Sequence, residues 1–148
     1  MVLPAEPEDA SLLKQIAIQA KGYWGYPDHW MDQFRSSPIV TAESIGVDVV
    51  YKACVEEEEV GWYRLLPQVP IAILEDLWVL PTWMGRGIGR ALWEHAAAQA
   101  RSLGAQAVEL EADPNAVPFY QRMGFQVIGQ SLSEWGRYVP RMRCDLST

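Results

Sequence analysis

The chain has 148 residues, 49% of them apolar, enough to bury an ordinary core in one domain spanning 1–148 without disulfide staples. Its formal charge of −7 repels phosphate backbones and anionic lipid over a Debye length of about 8 Å, which argues against nucleic acid and membrane as partners and suits a cationic one. No run approaches the roughly 18 apolar residues of a membrane span, and Glu6, Glu8 and Asp9 stand where a secretory leader carries positive charge, so a cytoplasmic location is expected.

After an extended start at Val2 and Leu3, the residues Leu12, Leu13, Ile16, Ala17 and Ala20 recur at three- and four-residue intervals behind acidic residues, which predicts an amphipathic helix. From Lys21 to Trp30 two glycines and a proline break it, and four aromatics crowd a structured loop before a short helix at about Trp30 to Arg35. Strands are expected at Val47–Val55 and Val60–Leu66, with Glu56 to Glu59 as a solvated hairpin turn between them, and a third at Ile71–Leu80. Ile88, Leu92, Ala96 and Leu103 keep helical spacing, with Ala91, His95 and Ala100 beside them, until Gly104 stops the helix. Val108, Leu110 and Ala112 alternate with Glu109 and Glu111 as a strand with two unlike faces. Asn115 is a candidate cap for a short helix through Met123, Pro118 falls in its first turn, and Gly124 ends it. Strands at Phe125–Ile128 and about Arg141–Leu146 close the order β-α-α-β-β-β-α-β-α-β-β.

The most informative stretch is Leu74–Leu92, which couples a strand, a Gly-rich turn and a helix start. Gly85, Gly87 and Gly89 remove Cβ atoms where the backbone must come close to something, and the first amides of the helix have no partner of their own. Those donors, the helix dipole, Arg86 and Arg90 suit a pyrophosphate; the plainer alternative is a tight turn that needs glycine for packing alone. A dinucleotide fingerprint fails, because the position that needs its last glycine is Arg90 or Leu92, and no Gly-Lys-Ser/Thr triplet of a P-loop occurs.

This stretch resembles the coenzyme A-binding motif of the GNAT superfamily of N-acetyltransferases, in which Gln/Arg-x-x-Gly-x-Gly/Ala opens the central helix. Here it reads Met84-Gly85-Arg86-Gly87-Ile88-Gly89, with Met84 in place of the usual Gln or Arg. Asp113 to Phe125 is similar to the family's second signature, which runs from Asn through Phe/Leu-Tyr to Gly-Phe after the next strand. The resemblance implies an α+β acyl-CoA N-acyltransferase fold with a mixed, mostly antiparallel sheet, splayed between strands 4 and 5 and flanked by helices. It also implies transfer of acetyl from acetyl-CoA to a small-molecule or peptide amine, with a homodimer as the family-based assembly. Its coenzyme contacts fall on Met84, Gly85, Arg86, Gly87, Ile88, Gly89 and Arg90, on main-chain groups near Leu77 and Val79, and on Asn115 and Tyr120.

Amine acetylation needs a deprotonated nitrogen, a polarised thioester carbonyl and a proton for the departing thiolate. By resemblance Tyr120 stands beside the coenzyme sulfur as the acid; otherwise it is a core aromatic on a short helix. Glu75 and Asp76 are the candidate bases, and strand alternation lets only one face the cleft; the parity of Glu75 with Leu77 and Val79 favours it, against a structural or solvated role for either. By the same resemblance Trp24, Tyr26 and Trp30 are expected on one wall of the acceptor site, with Trp62 and Tyr63 as additions; otherwise they pack in the core. His29 reads as a surface residue and His95 as structural. Two histidines and the distant thiols Cys54 and Cys144, expected buried and reduced, make no metal-ligand spacing, so no metal is expected. Transfer is expected to be direct, because neither cysteine falls in the motifs. The rival reading from another class is a non-catalytic acyl-CoA sensor.

Overall fold

The computed structural model describes residues 1–133 and 135–146; Glu134, Ser147 and Thr148, part of the expected domain, lie outside the described residues. Among the described residues seven strands form one sheet: β1 (Val2–Pro4), β2 (Val49–Val55), β3 (Glu58–Leu66), β4 (Ile71–Val79), β5 (Ala107–Glu111), β6 (Gln126–Leu132) and β7 (Tyr138–Asp145). Their spatial order is β1-β2-β3-β4-β5-β7-β6, and every neighbouring pair is antiparallel except β4 with β5. The parallel pair is allowed by the crossover through α4 (Ile88–Ser102), which supplies the chain length a hairpin lacks.

Each face of the sheet carries its own core. On one, α4 buries Leu92, Trp93, Ala96, Ala97 and Ala100 against Val60, Tyr63, Leu65, Ala72, Leu74 and Val108, with Tyr120 of α5 (Val117–Arg122) and Phe125 at its end. On the other, α1 (Ala10–Gly22) and α2 (Asp28–Ser36) bury Leu13, Ile16, Ala17, Met31 and Phe34 against Val50 and Trp62, with Ile45 of α3 (Ala42–Val47) beside them. Each fully buried Leu of these cores contributes about 1.5–3 kcal/mol. The two faces therefore stand on independent apolar supports, and a gap between strands can open without emptying either.

The expected mixed, mostly antiparallel sheet with flanking helices is what the structure shows, with local corrections. Val47 ends α3 rather than starting a strand; Thr41 caps that helix by accepting from the Ser44 amide, and its six residues are too few for periodicity to reveal. The hairpin turn is Glu56-Glu57 alone, both at positive φ as a two-residue type I′ turn requires, and Glu58 and Glu59 belong to β3. Leu92, Ala96 and Ala100 are buried as expected and Trp93 and Ala97 widen the stripe, whereas Leu103 caps the end of α4 and is exposed. Asp113, not Asn115, caps the turn before α5, its carboxylate accepting from the Asn115 amide. β7 begins at Tyr138, earlier than expected.

Candidate active site

β4 and β5 share only the pairs Ile71 with Ala107, Ala72 with Val108 and Ile73 with Glu109, whereas β4 stays paired with β3 as far as Val79. From Leu74 onward the edge of β4 that faces the gap presents backbone N–H and C=O groups with no strand to satisfy them. The sheet is thus splayed between its fourth and fifth strands, and the gap opens into a cleft of about 1040 Å³ lined by elements from both faces.

On the α4 face the Gly-rich turn forms one end of this cleft. Gly85 and Gly87 have φ of 76° and 83°, left-handed values that a side chain resists, and Gly87 is the N-cap of α4. The Ala91 amide is the first to bond back, to the Gly87 carbonyl, so the amides of Ile88, Gly89 and Arg90 lack an intrahelical acceptor. Gly89 has a different reason to be glycine: a Cβ there meets the Phe119 ring at 3.1 Å. Removing it lets α5 close against the start of α4. Arg86 lies over the Trp83 ring at 4.8 Å, and Arg90 pairs with Glu94 at 3.5 Å on the surface.

Two carboxylates stand where β4 leaves β5. Leu65 pairs with Leu74 and Arg64 with Asp76, so Glu75 is an extra residue, a β-bulge. The bulge breaks the alternation assumed from sequence: Leu74, Leu77 and Val79 all pack on the α4-side core, and both Glu75 and Asp76 line the cleft rather than one of them. Glu75 is exposed and has no bonded partner among the described residues. Asp76 is buried, accepting from Trp78 Nε1 and from Arg64 Nε, each at 3.0 Å, while Arg64 also pairs with Asp48 at 3.5 Å. Burial raises the Asp76 pKa to about 6, against the Trp78 hydrogen bond and the Arg64 charge, with Glu75 adding to the upward push.

Tyr120 lines the same cleft, and its hydroxyl has no partner among the described residues. Burial first, then the charges of Asp76 and Asp113, push its pKa well above the usual phenol value, so it holds its proton at neutral pH.

At the far end, on the α1 and α2 face, a layer of aromatic rings encloses two cations. Trp135, in the β6–β7 link, stacks on Trp30 and meets Tyr26 edge-on, both with centroids 4.9 Å apart. Lys21 lies 4.6 Å from the Trp135 ring centre and pairs with Asp113 at 2.9 Å. The Tyr26 hydroxyl donates to Asp113 at 2.7 Å and accepts from Asn115 Nδ2 and an Arg137 terminal nitrogen, each at 3.0 Å. Burial alone would raise the Asp113 pKa, but the Lys21 charge and the Tyr26 hydrogen bond outweigh it and hold it below the usual value. On the loop between α2 and α3, Ile39 takes a left-handed φ of 59°, and the Val40 amide bonds the Pro38 carbonyl at 2.6 Å across it. Such strain costs about 1–3 kcal/mol and persists where the surrounding packing holds the loop, which lines the cleft.

The model of the acetyltransferase (GNAT) family matches residues 12–125. The chain belongs to that family. It is 28% identical over 116 residues to an uncharacterised N-acetyltransferase of Methanocaldococcus jannaschii, covering 76% of this chain and 49% of that protein. The chain spans about half or less of the length of the curated relatives it matches. Among solved structures, a GNAT protein of Rhodopseudomonas palustris superposes with a TM-score of 0.85 at 20% identity, over 98% of this chain and 94% of that one. The PaiA N-acetyltransferase of Thermoplasma acidophilum, solved with coenzyme A, gives 0.83 at 17% identity over 98% of each chain. These likenesses establish the GNAT fold.

Of the acceptor-wall residues expected from sequence, Trp24 lines the cleft. Tyr26 and Trp30 do not; they stand behind Trp135 and hold it. Trp62 and Tyr63 are fully buried, the Trp62 indole donating to the Leu13 carbonyl at 2.7 Å and the Tyr63 hydroxyl meeting His95 Nδ1 at 2.7 Å. Met84, Gly85, Gly87, Gly89, Arg90, Leu77, Val79 and Asn115 line the cleft, whereas Arg86 and Ile88 point elsewhere. Cys54 and Cys144 are half-buried rather than buried, and neither lines it. Sequence reasoning missed Lys21, Arg64, Trp78, Trp135 and Arg137. The signal for the last two was a Trp-Gly-Arg turn whose destination only the fold reveals.

Proposed function

We propose that this chain transfers an acetyl group from acetyl-CoA to a primary amine by direct attack in a ternary complex, as one cytoplasmic domain. The observation that carries the reading is the split sheet. Unpaired amides gather at one end of a single cleft, unpaired β4 backbone runs along it, and carboxylates with a protonated tyrosine line it. Acetyl-CoA supplies the activated thioester.

The residues present fit that substrate. The amides of Ile88, Gly89 and Arg90, with the open left-handed turn at Gly85 and Gly87, suit a diphosphate; no Cβ crowds the turn, and the helix dipole adds attraction. Met84 costs one side-chain contact there and leaves the main-chain donors intact. The free edge of β4 near Leu77 and Val79 suits the amide-rich arm, and Asn115 remains a contact for it. A coenzyme A complex of a structural neighbour supports this assignment.

Glu75, exposed at the bulge and unpaired, receives the amine proton directly or through water. Asp76 is a positioning residue: its oxygens hold Arg64 and Trp78, and its charge draws the ammonium form of the acceptor toward Glu75. Tyr120 delivers a proton to the leaving thiolate from a hydroxyl committed to no other partner. Neither cysteine reaches the cleft and burial pushes both thiols up in pKa, which supports transfer without a covalent intermediate. No metal takes part in this route.

The test is thiol release from acetyl-CoA over a panel of amines. Release stimulated by an amine above hydrolysis, with no acetylated protein trapped, is the expected result. Tight coenzyme binding with no amine stimulation would replace catalysis by the sensor reading, and a stable acetyl-Cys54 or acetyl-Cys144 would refute the direct route.

A further inference from the structure

We propose that Arg137 is the docking point for a carboxylate on the acceptor, so that the acceptor is an amino acid or a similar small amine with an acid group at its other end. This deepens the acetyl-transfer reading and rests on it only for where the amine goes.

The argument begins with pairing. Among the cations that line the acceptor half of the cleft, Lys21 is matched by Asp113 at 2.9 Å, and Arg64 by Asp76 at 3.0 Å and Asp48 at 3.5 Å. Arg137 lines the cleft too, yet no carboxylate pairs with it among the described residues. One terminal nitrogen donates to the neutral Tyr26 hydroxyl, and Nε is shut off from solvent with no acceptor. The guanidinium carbon lies 4.9 Å from the Tyr26 ring centre, 5.3 Å from Trp30 and 5.5 Å from Trp135. These rings hold the fork in place without neutralising it. Trp135 has its own buried indole nitrogen unpartnered beside it. A half-buried cation kept without a counter-charge is costly, and a charged ligand offsets that cost.

The chemistry of the partner follows from charge and shape. Lys21, Arg137 and Asp113 together leave a single positive charge, which matches a monoanion and not a phosphate dianion. A guanidinium fork accepts a carboxylate through two parallel hydrogen bonds. At the other end of the acceptor space Glu75 and Asp76 are acidic. The space is therefore polarised, negative at the β4 bulge and positive at Arg137, as a molecule with an ammonium and a carboxylate requires. Trp24, Phe34 and Trp78 line it as well and suit an apolar body in between.

Arg137 belongs to the α1 and α2 side, on which Trp78 and Trp135 pack, whereas the amides of α4 begin on the opposite face. A phosphate of the coenzyme held at α4 is thus on the other side of the sheet.

The test is calorimetric titration of the full chain with a non-reacting pair, 3-phenylpropionate and its amide. The carboxylate is expected to bind about tenfold or more tightly than the amide, and Arg137→Gln to remove the difference. Equal affinity for the pair, no saturable binding of the carboxylate in the millimolar range, or a preference that survives Arg137→Gln overturns the proposal. Should Arg137→Gln fail to fold by circular dichroism, Arg137→Lys decides: it keeps the charge but loses the fork, so a reduced preference supports the proposal and an undiminished one overturns it. Because the probe cannot be acetylated, a failure here leaves the coenzyme site standing, and a failure of acetyl transfer leaves this result readable.

Discussion

The two ends of the cleft are built from different materials. The end at α4 is made of backbone: left-handed Gly85 and Gly87, and three amides with no carbonyl to bond. The end at the β6–β7 link is made of side chains, with Lys21, Asp113, Tyr26, Trp135 and Arg137 locked in one network. A backbone site recognises what every member of a family shares, because amides do not change with sequence. A side-chain site is free to vary, and its charge balance is what the proposed carboxylate acceptor rests on.

The largest effect that separates the two ends belongs to the residue between them. Tyr120→Phe is expected to lower kcat on the order of hundredfold while coenzyme affinity stays put, because only a proton is lost; turnover like that of the parent chain would return Tyr120 to the core. At the backbone end, Gly89→Val drives a side chain into the Phe119 ring and is expected to weaken coenzyme A binding about tenfold to hundredfold in calorimetry, with partial recovery in the Gly89→Val, Phe119→Ala double variant. Unchanged binding would show that the close approach of α5 to α4 is not needed.

At the side-chain end, Asp113→Asn leaves Lys21 without its carboxylate and is expected to cost about 2 kcal/mol in urea unfolding at neutral pH. The folded pKa of Asp113 is depressed, so its contribution is present above the unfolded value of about 4 and disappears as pH falls through the lower folded value. The variant should therefore converge with the parent chain in acid, and a constant gap down to low pH would contradict the pairing. Asp76 has the opposite sign. Its folded pKa of about 6 lies above the unfolded value, so stability declines as pH rises between about 4 and 6. Over the same window kcat/KM should rise as the carboxylate that draws the ammonium ionises, and Asp76→Asn should flatten both slopes.

The backbone end was legible in the sequence for the same reason that it is general. Met84 to Gly89 and the Tyr120-to-Phe125 run are local, and local backbone demands leave glycines at fixed spacing. The order of strands and the splay came through with them. The bulge at Glu75 did not, because an extra residue in one strand is set by its pairing with β3 and not by its own alternation. The acceptor end was legible only in part. Trp24 lines the cleft, whereas Tyr26 and Trp30 support Trp135, which lies more than a hundred residues away in sequence. Asp113, Lys21 and Arg137 meet across three separate elements, and no spacing along the chain records a contact of that kind.

The decisive measurement is calorimetric titration of the purified chain with coenzyme A. A saturable heat with one site per chain is predicted, from the amides at the start of α4 taking up the diphosphate. No heat with coenzyme A or its acetyl thioester well into the millimolar range would contradict the account at its root.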